Sequence, residues 1–228
     1  MKVSRVFLSS CAVLAIAVVA SAADRPKTSV KGVKRAPYHA PQGGVLVDQT
    51  GSFSGQGWTS QDFEAAFNAY DNQGADDFVV PAPGWSINEV VAPGFNQGIP
   101  VPAMNIQFFS NGAGVPGAVI CNYANIPTID DGLGNTQTTL PAPCVLPAGT
   151  HWVSVQARMD FGTSGQWFWG GSTSANGAPG KWQNPGGGFG TPCTTWGDLS
   201  SCIAGDNEWA WTLMGVVVPV ELQGFSIE

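Results

Sequence analysis

The sequence predicts an all-β protein, an antiparallel, jelly-roll-like β-sandwich with long glycine- and tryptophan-rich loops, and three observations carry this. Short apolar runs recur about every ten residues, parted by clusters drawn from 30 glycines and 17 prolines, the punctuation of strands and turns. No long stretch keeps its apolar residues at the helical period. Seven of the nine tryptophans fall between Gly149 and Gly215, interleaved with glycine, so stiff β-favouring rings alternate with residues that let the backbone turn.

The chain opens with Met1-Lys-Val-Ser-Arg5, an apolar run from Val6 to Val19, and Ala20-Ser-Ala22. A basic start, apolar middle and small-residue end make residues 1–22 a secretory signal peptide, cut after Ala22. The apolar run is shorter than the roughly 20 residues of a spanning helix, and no membrane insertion is expected. Leu8-Ser-Ser-Cys11 resembles a lipoprotein box, but too few residues precede it for an apolar region. Residues 23–43 carry Arg25, Lys27, Lys31, Lys34 and Arg35 with few apolar groups, and read as a flexible basic leader. Lys34-Arg35 fits a processing site or, more simply, a solvated basic pair. Residues 44–228 suffice for one domain with a substantial core.

Within that domain, Gly44–Asp48 reads as the first strand. Phe63, Ala66, Phe67 and Tyr70 fall at helical spacing after Thr59 and Ser60, the one place where a short amphipathic helix competes. Strands at Asp76–Val80 and Trp85–Val91 flank a Pro81–Gly84 turn. Ala103–Phe109 alternates, with Met104, Ile106 and Phe108 on the core face. The turn-rich Ser110–Gly117 leads into a strand at Ala118–Tyr123. Residues 125–135 read as loop and Thr136–Leu140 as strand. Thr150–Phe161 is the organising strand, with Val153, Val155, Ala157 and Met159 inward and Ser154, Gln156 and Arg158 outward. Gly162–Gly165 is expected to return it as a hairpin into Gln166–Trp169. Residues 170–207 form a long irregular segment. Trp209, Trp211 and Leu213 share one face of a later strand, and Val216–Ile227 closes the sheets.

Removal of the signal leaves Cys121, Cys144, Cys193 and Cys202, an even number in a chain sent to an oxidising compartment. Three connectivities are open, and sequence proximity favours Cys121 with Cys144 and Cys193 with Cys202. A thiolate metal site is the weaker reading, because no Cys-x-x-Cys occurs and His39 and His151 are the only histidines. Beyond residue 36 stand two basic residues, Arg158 and Lys181, against fifteen acids, a net charge of about −13. Such a surface repels phosphate backbones and anionic lipid, which argues against nucleic-acid and membrane partners.

Five segments carry a family resemblance: Ala75-Asp-Asp-Phe-Val-Val-Pro81, Gly84-Trp-Ser-Ile87, the run from Phe108 to Ala118, Leu146–Gln156, and Trp182-Gln-Asn-Pro-Gly-Gly-Gly-Phe-Gly190. Together they resemble a group of bacterial secreted proteins, largely without assigned functions, many of which end in cell-surface sorting tails. The resemblance implies a jelly-roll-like sandwich, a secreted or periplasmic location, and an extended or irregular course for residues 60–75. The sequence ends in Val218–Glu228 without an apolar anchor or basic cluster, which favours a free secreted or periplasmic form. No catalytic residues carry over from that group.

Candidate sites follow from residue chemistry. Trp167, Trp169, Trp182, Phe189 and Trp196 are candidates for an aromatic platform on which sugar rings stack, with Gln166, Gln183 and Asn184 taking hydroxyls, so the expected partner is a polysaccharide or cell-surface glycan. The competing reading places these rings in the core, as is usual for large aromatics. Two coplanar, solvent-facing tryptophans would decide for the platform. Asp71, Asp76 and Asp77, or Asp130 and Asp131, are candidates for a structural calcium site, with turn-capping aspartates as the simpler explanation. No other cofactor is expected. Metalloprotease, nucleophile-elbow and phosphate-loop motifs are absent from the sequence. Asp160, Asp206 and Glu208 are the first suspects for a two-carboxylate hydrolase. The composite expectation is a non-catalytic secreted envelope or matrix module that binds glycan, then a purely structural or adhesive sandwich with core tryptophans, and third a hydrolase.

Overall fold

The computed structural model describes residues 25–32, 44–174 and 176–219. The signal peptide, Lys34-Arg35, His39 and residues 220–228 lie outside these.

The chain folds as an all-β sandwich of antiparallel strands in three sheets. The largest runs Gly197–Asp198, Lys181–Gln183, Gln73–Val80, Gly149–Arg158, Ala103–Asn111, Pro116–Pro127. The second runs Ile129–Asp130, Thr136–Leu146, Trp85–Ala92, Thr212–Val217, Val45–Asp48. A third joins Ser29–Lys31, Phe53–Thr59, Phe168–Ser172 and Glu208–Trp209. Alternation builds the core: Met104, Ile106, Phe108, Val153, Val155 and Ala157 of the first sheet meet Trp85, Ile87, Val90, Leu140, Leu146 and Leu213 of the second in one buried cluster. Each of the buried Val, Leu, Ile, Phe and Met side chains contributes about 1.5–3 kcal/mol by leaving water. Cys121–Cys144 ties the outer strand of the first sheet to the second, and Cys193–Cys202 closes a loop of sequence separation 9. These are the two pairings that proximity favours.

Three expectations are corrected, and one open alternative is decided. Gln166–Trp169 does not return along Gly149–Arg158, because both edges of that strand are occupied by Gln73–Val80 and Ala103–Asn111. Instead the chain makes one helical turn at Phe161–Ser164 and crosses to the third sheet. Gln61, fully buried, staples the crossing: Nε2 donates to Met159 O (2.9 Å) and Oε1 accepts from Trp167 N (2.8 Å). Ser154, expected to face water, is buried with Trp152 on the strand's other face, which the long 170–207 segment covers. That segment is not irregular throughout; it holds the strand Lys181–Gln183 and the helical turn Leu199–Ile203. In place of an amphipathic helix, Ala65–Tyr70 forms a 3-10 turn after the short parallel pairing of Gln61–Asp62.

Part of the basic leader is also built into the fold. Ser29–Lys31 adds a strand to the Phe53–Thr59 edge, and Gln166, fully buried, holds Lys27 by its backbone. Its Oε1 accepts from Lys27 N (2.7 Å) and its Nε2 donates to Lys27 O (2.6 Å). Backbone bonding is indifferent to side-chain polarity, so a basic, apolar-poor sequence can still become an edge strand.

Candidate functional site

Three of the five rings of the expected aromatic platform lie in the interior, and the other two are half-buried. Trp167, Trp169 and Trp182 are fully buried. Their indole N–H groups donate to Gly134 O (2.8 Å), Ala210 O (2.8 Å) and Thr59 O (2.9 Å) respectively. Trp169 stacks on Trp209 at 4.6 Å between ring centroids. Asn184 is buried, donating to Ala69 O and Asp71 O, while the half-buried Gln183 donates to Gln73 Oε1. Phe189 and Trp196 retain partial exposure but pack edge-on against Trp182 and Phe109. The platform is therefore overturned in favour of a core. Burying the largest side chains against one another removes the most apolar area from water, and the glycines between them make the slots. A methyl group at Gly74 would meet Trp209 at 2.6 Å.

Acidic residues come together where the tryptophans do not. Asp76 and Asp77 on Gln73–Val80 and Glu208 on Glu208–Trp209 place ligand oxygens within 4.8 Å of one another, all buried. Asp76 Oδ2 accepts from Trp209 N (3.0 Å) and Trp211 Nε1 (2.9 Å), and its Oδ1 accepts from Asp77 N (3.1 Å). The loop at residues 176–178 closes over the group: Asn176 N donates to Glu208 Oε1 (3.3 Å) and Ala178 N to Asp77 Oδ1 (3.0 Å). Gly177 has φ +78°, and a side chain there would strike Asp77 Oδ2 at 2.5 Å, so glycine is required on both counts. Beside Asp77 lies a cavity of about 160 Å³ bounded by Asp48, Gln49, Asn176 and Gly177.

Burial dominates the electrostatics. Loss of solvation, reinforced by the neighbouring Glu208, pushes the Asp76 carboxyl well above the usual carboxylate range. Glu208 is pushed up to about 7, first by burial, and burial also raises Asp77. The nearby ammonium of Lys181 is held by Asp198 and lies 5.9 Å over the Trp152 ring.

The other predicted acids lie elsewhere. Asp71 does not join Asp76 and Asp77, because its Oδ1 accepts from Phe63 N (2.8 Å) at the end of the 3-10 turn. Asp130 Oδ1 accepts from Gly132 N and Gly134 N, and Asp131 Oδ1 from Leu133 N and Asn135 N, the pattern of turn-capping aspartates. Asp160 pairs with Arg158 (3.1 Å) and Asp206 packs beside Gly171; neither belongs to the cluster that holds Glu208. His151 Nε2 meets Pro147 O at 2.9 Å, a structural contact. Sequence reasoning placed Glu208 in a different site. The signal that finds it is an acid embedded in the most apolar runs, Asp76-Asp77 before Phe-Val-Val and Glu208 before Trp-Ala-Trp, where a charged group faces the interior.

No protein-family model matches the chain, and no curated protein matches it. Among the described residues no helix is long and apolar enough to cross a membrane.

Proposed function

We propose that the chain is an exported, non-catalytic β-sandwich acting as a structural or adhesive module of the cell envelope or extracellular matrix. The observation that carries this reading is the internal hydrogen bonding of the indoles. A sugar-stacking ring needs one face and one polar edge open to the ligand, and Trp167, Trp169 and Trp182 have neither. The carboxylates support the same reading. Asp76 and Glu208 lie beneath the 176–178 loop, too deep for a substrate bond to reach. Two disulfides suit an oxidising compartment, and the acidic balance keeps the module away from polyanions.

The test is to express the full chain in an exporting host, fractionate the cells, and challenge the purified mature protein with a panel of polysaccharides. The expected result is extracytoplasmic recovery, a first residue of Ala23, both disulfides closed, and no saturable retention. Retention that saturates and is lost in Trp196→Ala, or cytoplasmic recovery with free thiols, overturns the reading.

A further inference from the structure

We propose that Asp76, Asp77 and Glu208 bind a single calcium ion that ties the 176–178 loop and the Glu208–Trp209 strand to the largest sheet. Their ligand oxygens lie within 4.8 Å of one another. Calcium holds oxygens at about 2.3–2.6 Å, so ligands on opposite sides stand about 4.6–5.2 Å apart. The three side chains already meet that spacing.

A second observation points independently to a ligand. Glu208 is only 2% exposed, its Oε2 receives no donor from the described residues, and its close side-chain neighbour is another carboxyl, Asp76. Gln49 repeats the pattern from the other wall: it is 6% exposed, bounds the cavity beside Asp77, and its Oε1 is also without a partner. A buried oxygen that lacks a donor is costly, and a cation bound by the cluster satisfies that of Glu208. Among the described residues no basic side chain forms an ion pair with the three carboxyls. Arg158 and Lys181 are the only basic residues after residue 36, and they are held by Asp62 and Asp160, and by Asp198, respectively.

The donor set selects the metal. All-oxygen ligands suit hard cations and disfavour zinc or copper, which take nitrogen and sulfur. Magnesium demands a near-ideal octahedron and keeps several waters, whereas calcium accepts six to eight oxygens in irregular geometry. Three carboxylate oxygens, one from each side chain, with water completing an irregular shell, suit calcium better than magnesium. This inference does not depend on the proposed matrix role.

The test uses the mature chain and terbium as a luminescent stand-in for calcium. Trp211 Nε1 lies 2.9 Å from Asp76 Oδ2, so indole excitation feeds a bound terbium ion. The expected result is sensitised terbium emission that calcium displaces and equimolar magnesium does not, with a calcium Kd of roughly 10⁻⁴–10⁻³ M as in extracellular modules. Calcium at 100 times Kd raises the Tm by about 5–10 °C, and a chelator reverses the shift. Glu208→Gln and Asp77→Asn abolish both responses, while Asp131→Asn retains them. A wild-type chain with neither terbium emission nor a calcium-dependent Tm overturns the proposal and leaves the carboxyls sharing a proton. So does a response that survives in Glu208→Gln or disappears in Asp131→Asn.

Discussion

Replacing Gln166 with leucine should peel the leader strand from the sandwich without dismantling the domain. Leucine approximates the volume of the buried amide, so packing is largely kept while three hydrogen bonds are lost. Two of these hold Lys27 N and Lys27 O, and the third runs from Nε2 to Thr59 Oγ1 (2.8 Å). At about 1 kcal/mol net per bond the loss reaches about 3 kcal/mol, reduced slightly because the Lys27 backbone can turn to water once free. Asn72 Nδ2 still donates to Thr59 Oγ1 at 3.2 Å, so that oxygen is not orphaned. The expected destabilisation is about 2–3 kcal/mol, a fall in Tm of roughly 4–12 °C. Native-state hydrogen exchange locates it. Thr59 N, bonded to Thr28 O, and Gly32 N, bonded to Gly55 O, should exchange roughly 30- to 150-fold faster, the same free energy read as a rate. Amides of Val153 and Val155 in the central strand should keep their rank as the slowest. Unchanged exchange at Thr59 and Gly32, or equal acceleration in the central strand, refutes the clamp.

Trp169→Ala should cost about 3–5 kcal/mol in urea unfolding, since it removes a fully buried ring stacked on Trp209; a loss under about 1 kcal/mol would contradict the core placement. Replacing Cys193 and Cys202 with serine should cost about 2.5 kcal/mol and the Cys121–Cys144 pair about 3.5 kcal/mol, in the order of their separations of 9 and 23; the reverse order by differential scanning calorimetry would rule out the chain-entropy account. Glu64 accepts from Phe161 N (2.6 Å) and Gly162 N (2.9 Å). Burial opposes its ionisation, but these N–H groups outweigh it and hold the carboxyl below its ordinary 4.5. A lowered folded value means the contribution is present above that pH and disappears as pH falls through the folded value. Glu64→Gln should therefore lower stability by less than about 1 kcal/mol at pH 7 and match the wild type in strong acid; a gap that widens on acidification would reverse the assignment.

The residues that betrayed their position were those whose pattern records burial on one face. Met104, Ile106 and Phe108, and Val153, Val155 and Ala157, alternate because one side meets the opposite sheet, and they lie where the alternation puts them. Periodicity does not name the neighbour. Gln166–Trp169 looked like the return arm of a hairpin because a glycine turn precedes it, yet Gln61 routes it to another sheet. Nor does alternation report a strand covered on both faces: Ser154 reads as outward, yet it is buried on the face where Trp152 packs against Ala178 and Trp196 of the 170–207 segment. Tryptophan and glycine in one stretch suit a binding face and an aromatic core alike, since local sequence carries no record of what stands above a ring.

Chain composition alone settled that this polypeptide makes strands, and cysteine spacing singled out the pairs it joins, because propensity, alternation and loop length are local quantities. Tertiary structure decided the rest: which face of each indole is covered, that the basic leader supplies a strand, and that Asp76 and Asp77 are met by Glu208 rather than Asp71. Those outcomes depend on contacts between residues far apart in the chain, where the distance between two side chains is set by the packing of whole sheets rather than by anything written beside them.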